Sequence, residues 1–385
     1  MKVIVANTLY APYRVGGAEV SVQILCENLV AQGHQVRVLT FHEESHRKVR
    51  IINGVEVVYL PLKNIYWPFN NERRSGLLRG LWHIFDSYNI MSRIQFGREL
   101  DIYKPDVVHT NNLAGFSVSV WSAAKKRGVK IIHTARDYYL FHPNSTLFRQ
   151  GRNQNPRRCS VFAWSLLRKI QSKKVTSFIG ISDFIKDFHV ATGFFPLAKT
   201  NRIYNAVEVS SSSTPDAGTL RIGFIGKLSV AKGFDTFCQY VQLIKARNSE
   251  VIAIAAGVYA EEDKSYLETL AATAQITMLG RTTLPDFLAQ VDVVILPTKW
   301  REPFGRTVIE CALANKVILV RPVGGISELL NIIPAIIELH TAPTYDELIS
   351  FIHEKRVISA QNRDLFSPRK IAQEYIAEYA RVKNE

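Results

Sequence analysis

The chain has 385 residues, of which 47% are hydrophobic and 21% are charged. This length and composition are those of a soluble globular protein of about two to three domains. They exclude an intrinsically disordered chain, a collagen-like repeat and a small disulfide scaffold. The four cysteines lie far apart without a Cys-x-x-Cys pair, which argues against a zinc or dithiol redox motif. No segment reaches the roughly 18 to 20 apolar residues of a membrane span, so we expect a cytoplasmic protein.

The charge is strongly basic, with 48 Lys and Arg against 34 Asp and Glu, a net charge of +14. Such an excess favours anionic partners. It is concentrated in residues 149–174, which carry no acidic residue and have aromatic residues interleaved, and a second basic and aromatic segment covers 67–82. Each segment is either a solvated surface or a peripheral contact with an anionic membrane. Without an accompanying RNA- or DNA-binding motif, we expect no nucleic acid.

Short β-branched runs alternate with amphipathic segments along the chain, the pattern of βα units around parallel sheets. In chain order the candidate strands are residues 3–6, 36–40, 55–60, 106–110, 129–134, 178–182, 220–225, 251–256, 292–296 and 317–320. A helix is predicted between the first two strands, from apolar residues at helical spacing that end near Gly33. These elements predict an α/β protein made of two doubly wound domains.

Two segments, one polar and one helical, indicate where the domains begin and end. Residues 210–218 are rich in Ser and in the chain breakers Pro and Gly, which is typical of a linker or a surface loop. Residues 368–383 form a candidate helix after Ser367, a suitable N-cap. We assign residues 1–200 to a first domain, together with the C-terminal helix of 367–385, and residues 201–366 to a second domain.

Two glycine-containing loops follow predicted strands. Gly16-Gly17-Ala18-Glu19 comes after the first strand and opens a helix, where backbone N–H groups can approach a phosphate, although such a glycine pair is more often only a tight turn. In the second half, Lys227 and Lys232 occupy a strand-to-helix loop that is suited to a diphosphate, although a solvated basic loop is an equal alternative. Neither loop matches the phosphate-binding loop of nucleoside triphosphatases or the dinucleotide fingerprint.

The most informative segment is Glu302-Pro-Phe-Gly-x4-Glu310-Cys-Ala. It follows the strand predicted at 292–296, so Glu302 lies in a loop and Glu310 lies on the second turn of a helix that begins near Gly305. Two carboxylates at this spacing can face one cleft, with the amides of the helix N-terminus between them.

Together these segments resemble glycosyltransferase family 4, whose members are retaining enzymes of the GT-B fold. Further matching segments are Gly324-Gly325-Ile-Ser-Glu328 and Ile203-Tyr-Asn-Ala-Val207, the latter at the family's entry into its second domain. The resemblance implies two facing Rossmann-like domains, with the C-terminal helix returning to the first. It also implies transfer of a hexosyl unit from a nucleotide diphosphate sugar, with UDP favoured over GDP, to a glycan or lipid-linked acceptor in bacterial surface polysaccharide biosynthesis.

The resemblance also implies roles for individual residues of the second domain. Glu302 corresponds to the first glutamate of the family's E-x7-E motif, which binds hydroxyls of the donor sugar, and Glu310 to the second, which accepts hydrogen bonds from the ribose. Lys227 and Lys232 match the basic pair that neutralises the leaving diphosphate. Because these cations stabilise that charge, we expect no metal ion and no other cofactor.

Further contacts with the donor are implied around this pair of carboxylates. Phe304, Gly305 and Thr307 would supply backbone contacts to the phosphates and the sugar. Gly17, next to Gly16 in the same binding loop, would place its amide near the phosphate from the first domain, and Arg281 lies where the family holds the nucleotide base.

The chain departs from the family after the strand predicted at 129–134. Where relatives have a His-Asp pair, this chain has Arg136-Asp137, and His133 lies three residues earlier. Asp137 remains a candidate to contact donor or acceptor, whereas the roles of His133 and Arg136 stay open. We interpret His109 as a core residue. Two alternatives to a transferase remain: another GT-B enzyme such as a UDP-sugar epimerase, and a non-catalytic protein that binds an anionic polymer or membrane.

Overall fold

The computed structural model describes residues 1–13, 16–70, 72, 74–208, 218–354 and 358–385. It divides into two compact units. The first comprises Met1–Leu147, Asn155–Ala206 and Phe366–Glu385, and the second comprises Phe148–Gln154 and Val207–Leu365. This division differs from the assigned boundary at residue 200, and it places residues 148–154 in the second unit. Most of the segment proposed as a linker, residues 210–217, lies outside the described residues.

The first unit contains one large sheet with helices packed around it. Its strands, with elements numbered in chain order, are β1 (Lys2–Ala6), β2 (Gln35–His42), β3 (Lys48–Ile52), β4 (Val55–Pro61), β5 (Val107–Thr110), β6 (Lys130–Ala135), β9 (Ser177–Gly180) and β10 (Lys199–Arg202). Its helices are α1 (Gly17–Ala31), α2 (Gly76–Ser87), α3 (Ile90–Tyr103), α4 (Ser119–Lys126), α5 (Cys159–Ser172), α6 (Asp183–Ala191) and α14 (Pro368–Asn384). The strand order is β10-β9-β6-β5-β1-β2-β4-β3, parallel except for β3 on β4.

The second unit contains a smaller parallel sheet and a short hairpin. The hairpin consists of β7 (Phe148–Arg149) and β8 (Arg152–Asn153), and the sheet of β11 (Arg221–Ile225), β12 (Ile252–Ala256), β13 (Thr277–Gly280), β14 (Val293–Leu296), β15 (Val317–Val320) and β16 (Ile336–Glu338). The helices are α7 (Phe234–Arg247), α8 (Lys264–Thr273), α9 (Leu284–Leu288), α10 (Arg306–Leu313), α11 (Ile326–Leu329), α12 (Tyr345–His353) and α13 (Ala360–Asp364). The strand order of the sheet is β13-β12-β11-β14-β15-β16.

The predicted α/β class with two parallel sheets is confirmed. Each of the ten predicted strands coincides with an observed strand, with bounds that agree within two residues. The central strands are almost fully buried, which is why they are read as continuous apolar runs. In both sheets the strand order reverses once, between β1 and β5 in the first unit and between β11 and β14 in the second. Ligands of such sheets bind outside the carboxyl ends of the strands at this switch point.

The C-terminal helix α14 belongs to the first unit, as predicted. Ser367 caps it by accepting a hydrogen bond from the N–H of Lys370 at 3.3 Å. On its buried face the Tyr379 hydroxyl lies 2.7 Å from Nδ1 of His109, and Tyr375 bonds with Thr134 at 3.1 Å. The last residues of the chain therefore complete the core beside β5 and β6.

Candidate functional site

The switch point of the second unit lies between the loops that follow β11 and β14. The loop after β11 carries Lys227 and Lys232, and the loop after β14 carries Glu302. Because β11 and β14 are parallel neighbours, both loops emerge at the same edge of the sheet. The sequence alone placed these residues in two loops, and the topology puts the loops side by side.

Lys232 and Glu302 form an ion pair through Nζ and Oε2. Trp300 supports this pair on both sides. Its indole N–H donates to the same Oε2 at 2.9 Å, and the Lys232 ammonium lies 5.2 Å from the centre of its ring. Glu302 Oε1 accepts no hydrogen bond from the described part of the chain, so one oxygen of a firmly held carboxylate is available to a ligand hydroxyl.

Two glycines let backbone segments approach each other closely around this pair. Gly233 has φ +78°, and a Cβ there would lie 2.0 Å from the carbonyl oxygen of Pro297. Gly324 has φ +67°, and a Cβ there would lie 2.3 Å from the carbonyl oxygen of Glu302. The same oxygen accepts the N–H of Gly325 at 2.7 Å. No larger residue fits at these left-handed positions, so the glycines fix the backbone that carries Lys232 and Glu302.

Helix α10 begins directly after the Glu302 loop, with Gly305 as its N-cap at φ +98°. Phe304 is buried, and Thr307 lies in the first turn, where N–H groups lack helical partners. One turn later Glu310 pairs with Arg306 through Oε1 and Nε at 2.7 Å. No sequence pattern indicates this role of Arg306. It holds one carboxylate oxygen of Glu310, while Oε2 accepts no hydrogen bond from the described residues.

The hairpin of β7 and β8 contacts the loop that precedes Glu302. The Asn153 side-chain amide donates to the carbonyl of Lys299 at 2.9 Å, and its oxygen accepts the N–H of Arg301 at 2.9 Å. The contact cannot be predicted from the sequence, because a single polar residue about 150 positions from its partner leaves no local pattern. Asn153 therefore holds the backbone at the residues before and after Trp300.

Lys227 and Arg281 lie at the same edge of the sheet but outside this contact network. Lys227 is exposed, and among the described residues no carboxylate lies within 4 Å of its ammonium. Arg281 is exposed directly after β13, the edge strand of the sheet. Both are therefore accessible to a ligand, and their roles remain predictions.

In the first unit, Gly16-Gly17 lies in the loop after β1 and opens α1, as predicted. The N–H of Gly16 donates to Oε2 of Glu19 at 2.9 Å. An acidic residue in the first turn is favourable at a helix N-terminus, and here it occupies the N–H of Gly16, one of the two glycines predicted to bind the phosphate. A phosphate would have to displace that carboxylate.

The first unit also settles the environments of the residues after β6. Asp137 accepts the N–H of Tyr139 at 2.8 Å, and burial raises the pKa of its carboxyl to about 6. His133 is buried against Phe178 and bonds with the Thr110 hydroxyl at 3.0 Å. Burial lowers its pKa to about 3, so it is a neutral core residue. His109 is likewise buried, in agreement with the prediction.

Arg136 lies directly before Asp137, where the resemblance described above implies histidine. It is 7% exposed, and its guanidinium donates to the side-chain oxygens of Asn111 and Asn205. Arg136 therefore joins the carboxyl ends of β5 and β6 to the segment that leads out of the first unit.

Two residues assigned to basic or aromatic surface segments are in fact buried. Arg168 is fully buried, lies 4.3 Å from the ring centre of Tyr139 and donates to the carbonyl oxygen of that residue. Trp82 is 3% exposed and donates to the carbonyl of Tyr66 at 3.0 Å. The predicted 149–174 segment is also divided, because residues 149–154 belong to the second unit. In the second predicted segment, Arg73 lies outside the described residues.

Comparison with known proteins places this geometry in a family. The model of Glycosyltransferase Family 4 matches residues 15–211, and that of Glycosyl transferases group 1 matches residues 219–338. This chain belongs to glycosyltransferase family 4. The family member is 42% identical over 380 residues to a Klebsiella pneumoniae protein described as an uncharacterized 42.6 kDa protein in the cps region, covering 98% of this chain and 100% of that protein.

Solved structures share the fold of this family member over nearly its whole length. The Anabaena HepE protein in complex with UDP matches with a TM-score of 0.69 at 15% identity, covering 99% of this chain and 100% of that one. The catalytic domain of starch synthase IV from Arabidopsis thaliana, bound to ADP and acarbose, matches with a TM-score of 0.68 at 14% identity, covering 100% and 99%. The predicted GT-B fold is thereby confirmed, and the chain is a glycosyltransferase.

Proposed function

We propose that this glycosyltransferase moves a hexosyl unit from a UDP-sugar to a glycan or lipid-linked acceptor, with retention of the anomeric configuration and without a metal ion. The observation that carries the proposal is the Lys232–Glu302 ion pair at the switch point of the second unit. UDP as the nucleotide is supported by HepE, a protein of the same fold that was solved with UDP and with UDP-glucose. A role in polysaccharide biosynthesis is supported by the relative in the cps region.

The charges of the site match the charges that develop in such a reaction. Breaking the bond between sugar and diphosphate builds negative charge on the leaving group, which Lys232, Lys227 and the N-terminal amides of α10 are suited to stabilise. Glu302 offers Oε1 to the sugar hydroxyls while its Oε2 is held by Lys232. Glu310 offers Oε2 to the ribose.

We further propose that the enzyme acts at the cytoplasmic face of a membrane that carries the acceptor. Helix α5 supports peripheral contact, because Phe162, Leu166 and Ile170 are exposed on it and the basic residues Arg158 and Lys173 are exposed at its two ends. No helix in the described ranges combines the length and apolarity that are needed to cross a bilayer. Because α5 belongs to the first unit, it is the surface of this unit that would contact the membrane.

The test is release of nucleotide from a panel of UDP- and GDP-sugars, with water as the slow acceptor, by the wild type and by Glu302→Gln. We expect release from UDP-sugars that falls about 100-fold or more in the variant, the order of effect of removing one preorganised electrostatic group. Glu250→Gln is the matched control, because Glu250 is exposed before β12, at the opposite edge of the sheet. Release of nucleotide by Glu302→Gln at the wild-type rate would refute the proposed donor site.

The same assay distinguishes a transferase from the two alternatives, a UDP-sugar epimerase and a non-catalytic binding protein. An epimerase would convert one UDP-sugar into another without releasing nucleotide, and a non-catalytic binding protein would neither convert the donor nor release UDP. Loss of release by the control to the same extent would show damage to the fold rather than to the site.

A further inference from the structure

A cavity of about 620 Å³ lies on the first unit and is lined by residues between Leu62 and Met91, none of which belongs to the candidate site described above. It is formed by the loop after β4, the end of α2 and the start of α3. Its volume falls in the range of about 300–1,000 Å³ that is typical of small-molecule sites. Its apolar lining consists of Leu62, Ile65, Ile84, Phe85, Ile90 and Met91.

The apolar lining is exposed rather than covered by the fold. Ile84, Phe85, Ile90 and Met91 are each more than half exposed. The exposed face of α2 continues from the cavity through Leu81 to Leu77, which is 77% exposed. Positions 77, 81, 84 and 85 share one helical face, so the face that α2 turns to solvent is apolar. Soluble proteins rarely leave a contiguous apolar surface of this kind without a binding role.

Two cations lie beside the cavity on the side of Tyr88. Tyr88 lines the cavity, and its hydroxyl accepts a hydrogen bond from Arg93 at 3.2 Å and donates to Ser122 at 3.0 Å. Lys174 donates to the same Ser122 hydroxyl at 2.7 Å. In the described part of the chain neither Arg93 nor Lys174 has a carboxylate within 4 Å.

Acidic groups are scarce in the elements that form the cavity. Between Glu72 and Glu99 the sequence contains one acidic residue, Asp86. Asp86 is fully buried and bonds with the Tyr139 hydroxyl at 2.7 Å and the N–H of Gly115 at 2.6 Å. The site thus combines an apolar body with an uncompensated positive end, the complement of a hydrocarbon chain that carries an anionic head.

We propose that this cavity binds the hydrocarbon chain of a phosphate-bearing lipid, with the phosphate near Arg93 and Lys174. The inference rests on the proposed function, for which it names a binding site and a chemical class of acceptor. Burying a chain against this lining gains roughly 0.8 kcal/mol for each methylene group, while the cations select a negative head group.

The test is isothermal titration of the full chain with dodecyl phosphate below its critical micelle concentration. Dodecanol and inorganic phosphate serve as comparison probes. We expect dodecyl phosphate to bind at least 10-fold more tightly than either. The double variant Phe85→Asn/Ile90→Asn should weaken dodecyl phosphate at least 10-fold, and Arg93→Gln should weaken dodecyl phosphate without changing the binding of dodecanol.

Leu197→Asn is the matched control, since Leu197 is 75% exposed on the same unit after α6. Equal weakening by the control, or equal affinity for inorganic phosphate, would overturn the proposal. Self-association of the wild-type chain that is lost in the double variant would also overturn it, because a second copy of the chain would then occupy the cavity. UDP binding is titrated in parallel. If the chain binds UDP but not dodecyl phosphate, the proposed lipid site is refuted and the proposed function stands. Dodecyl phosphate binding without UDP binding would leave the lipid site and refute the proposed donor.

Discussion

Asp137 is a carboxylate whose charge is disfavoured by its surroundings. Burial raises its pKa to about 6, against the hydrogen bond from Tyr139, which lowers it. The unfolded value is about 3.9, so between these pH values the folded state binds the proton more tightly than the unfolded state. The contribution to stability is therefore fully present below about pH 4 and is lost as the pH rises through 6. Above that pH the ionised carboxylate costs up to about 3 kcal/mol.

We expect Asp137→Asn to raise the free energy of unfolding near pH 7.5 and to change it far less near pH 4.5. Asparagine keeps an oxygen for the N–H of Tyr139 but has no charge to bury. Urea unfolding at the two pH values measures the difference. Asp187→Asn is the control, because that carboxylate is largely exposed. A gain of equal size at both pH values would contradict the raised pKa, and loss of nucleotide release in the stabilised variant would indicate that the enzyme retains this cost for activity.

Among the elements, the hairpin of β7 and β8 bears most directly on the donor site. Its Asn153 holds the loop at Lys299 and Arg301, on either side of Trp300. The loop has no regular secondary structure between β14 and α10, and its other backbone contacts come from the second unit itself, where the carbonyl of Ala231 accepts the N–H groups of Lys299 and Trp300 at 3.0 and 3.1 Å. The hairpin therefore acts on Glu302 through the backbone rather than by contact with a substrate.

We expect Asn153→Ala to raise the KM for the donor several-fold and to speed amide hydrogen exchange at residues 299–302. The reason is that the substitution removes both hydrogen bonds to the loop, each worth roughly 1 kcal/mol. Steady-state kinetics and exchange mass spectrometry measure the two effects. Asn155→Ala is the control, because the Asn155 side chain accepts a hydrogen bond from Arg157 at 2.9 Å, away from the loop. Exchange at 299–302 that stays at the wild-type rate would argue against a positioning role.

How far the sequence predicts the structure also depends on the kind of element. Central strands such as β1 and β14 are recognised because both faces are buried and the run is apolar, apart from the exposed Lys2 that begins β1. The edge strand β3 was missed, since its side chains are largely exposed, and β10 was missed because Lys199–Arg202 contains no apolar residue. Glu302 and Lys232 were found through their motifs. Trp300 and Asn153 were not, because their roles arise from contacts that only the folded loop creates.

At the scale of the whole molecule, the chain order and the folded units do not coincide. The first unit needs α14, whose tyrosines satisfy the buried His109 and Thr134. Without α14 each of these side chains would lose one hydrogen-bond partner and keep only their mutual bond at 2.8 Å, and a buried group left unsatisfied costs roughly 1–3 kcal/mol. Residues 1–206 are therefore incomplete by themselves, whereas the donor-site residues after β11 and β14 lie within one unit.

A donor nucleotide should stabilise the full chain without any metal ion. At a UDP concentration of 100 times its dissociation constant, binding to the folded state adds about 2.7 kcal/mol, which for a protein of this size raises the midpoint by a few degrees. We expect the shift in thermal unfolding to be unchanged by excess EDTA, because in the proposed mechanism Lys227 and Lys232 supply the positive charge at the diphosphate. Glu310→Gln should reduce the shift through the ribose, and Glu250→Gln should leave it intact. A shift that disappears with EDTA and returns with Mg²⁺ would show that these lysines do not suffice, and a larger shift with GDP than with UDP would reassign the donor.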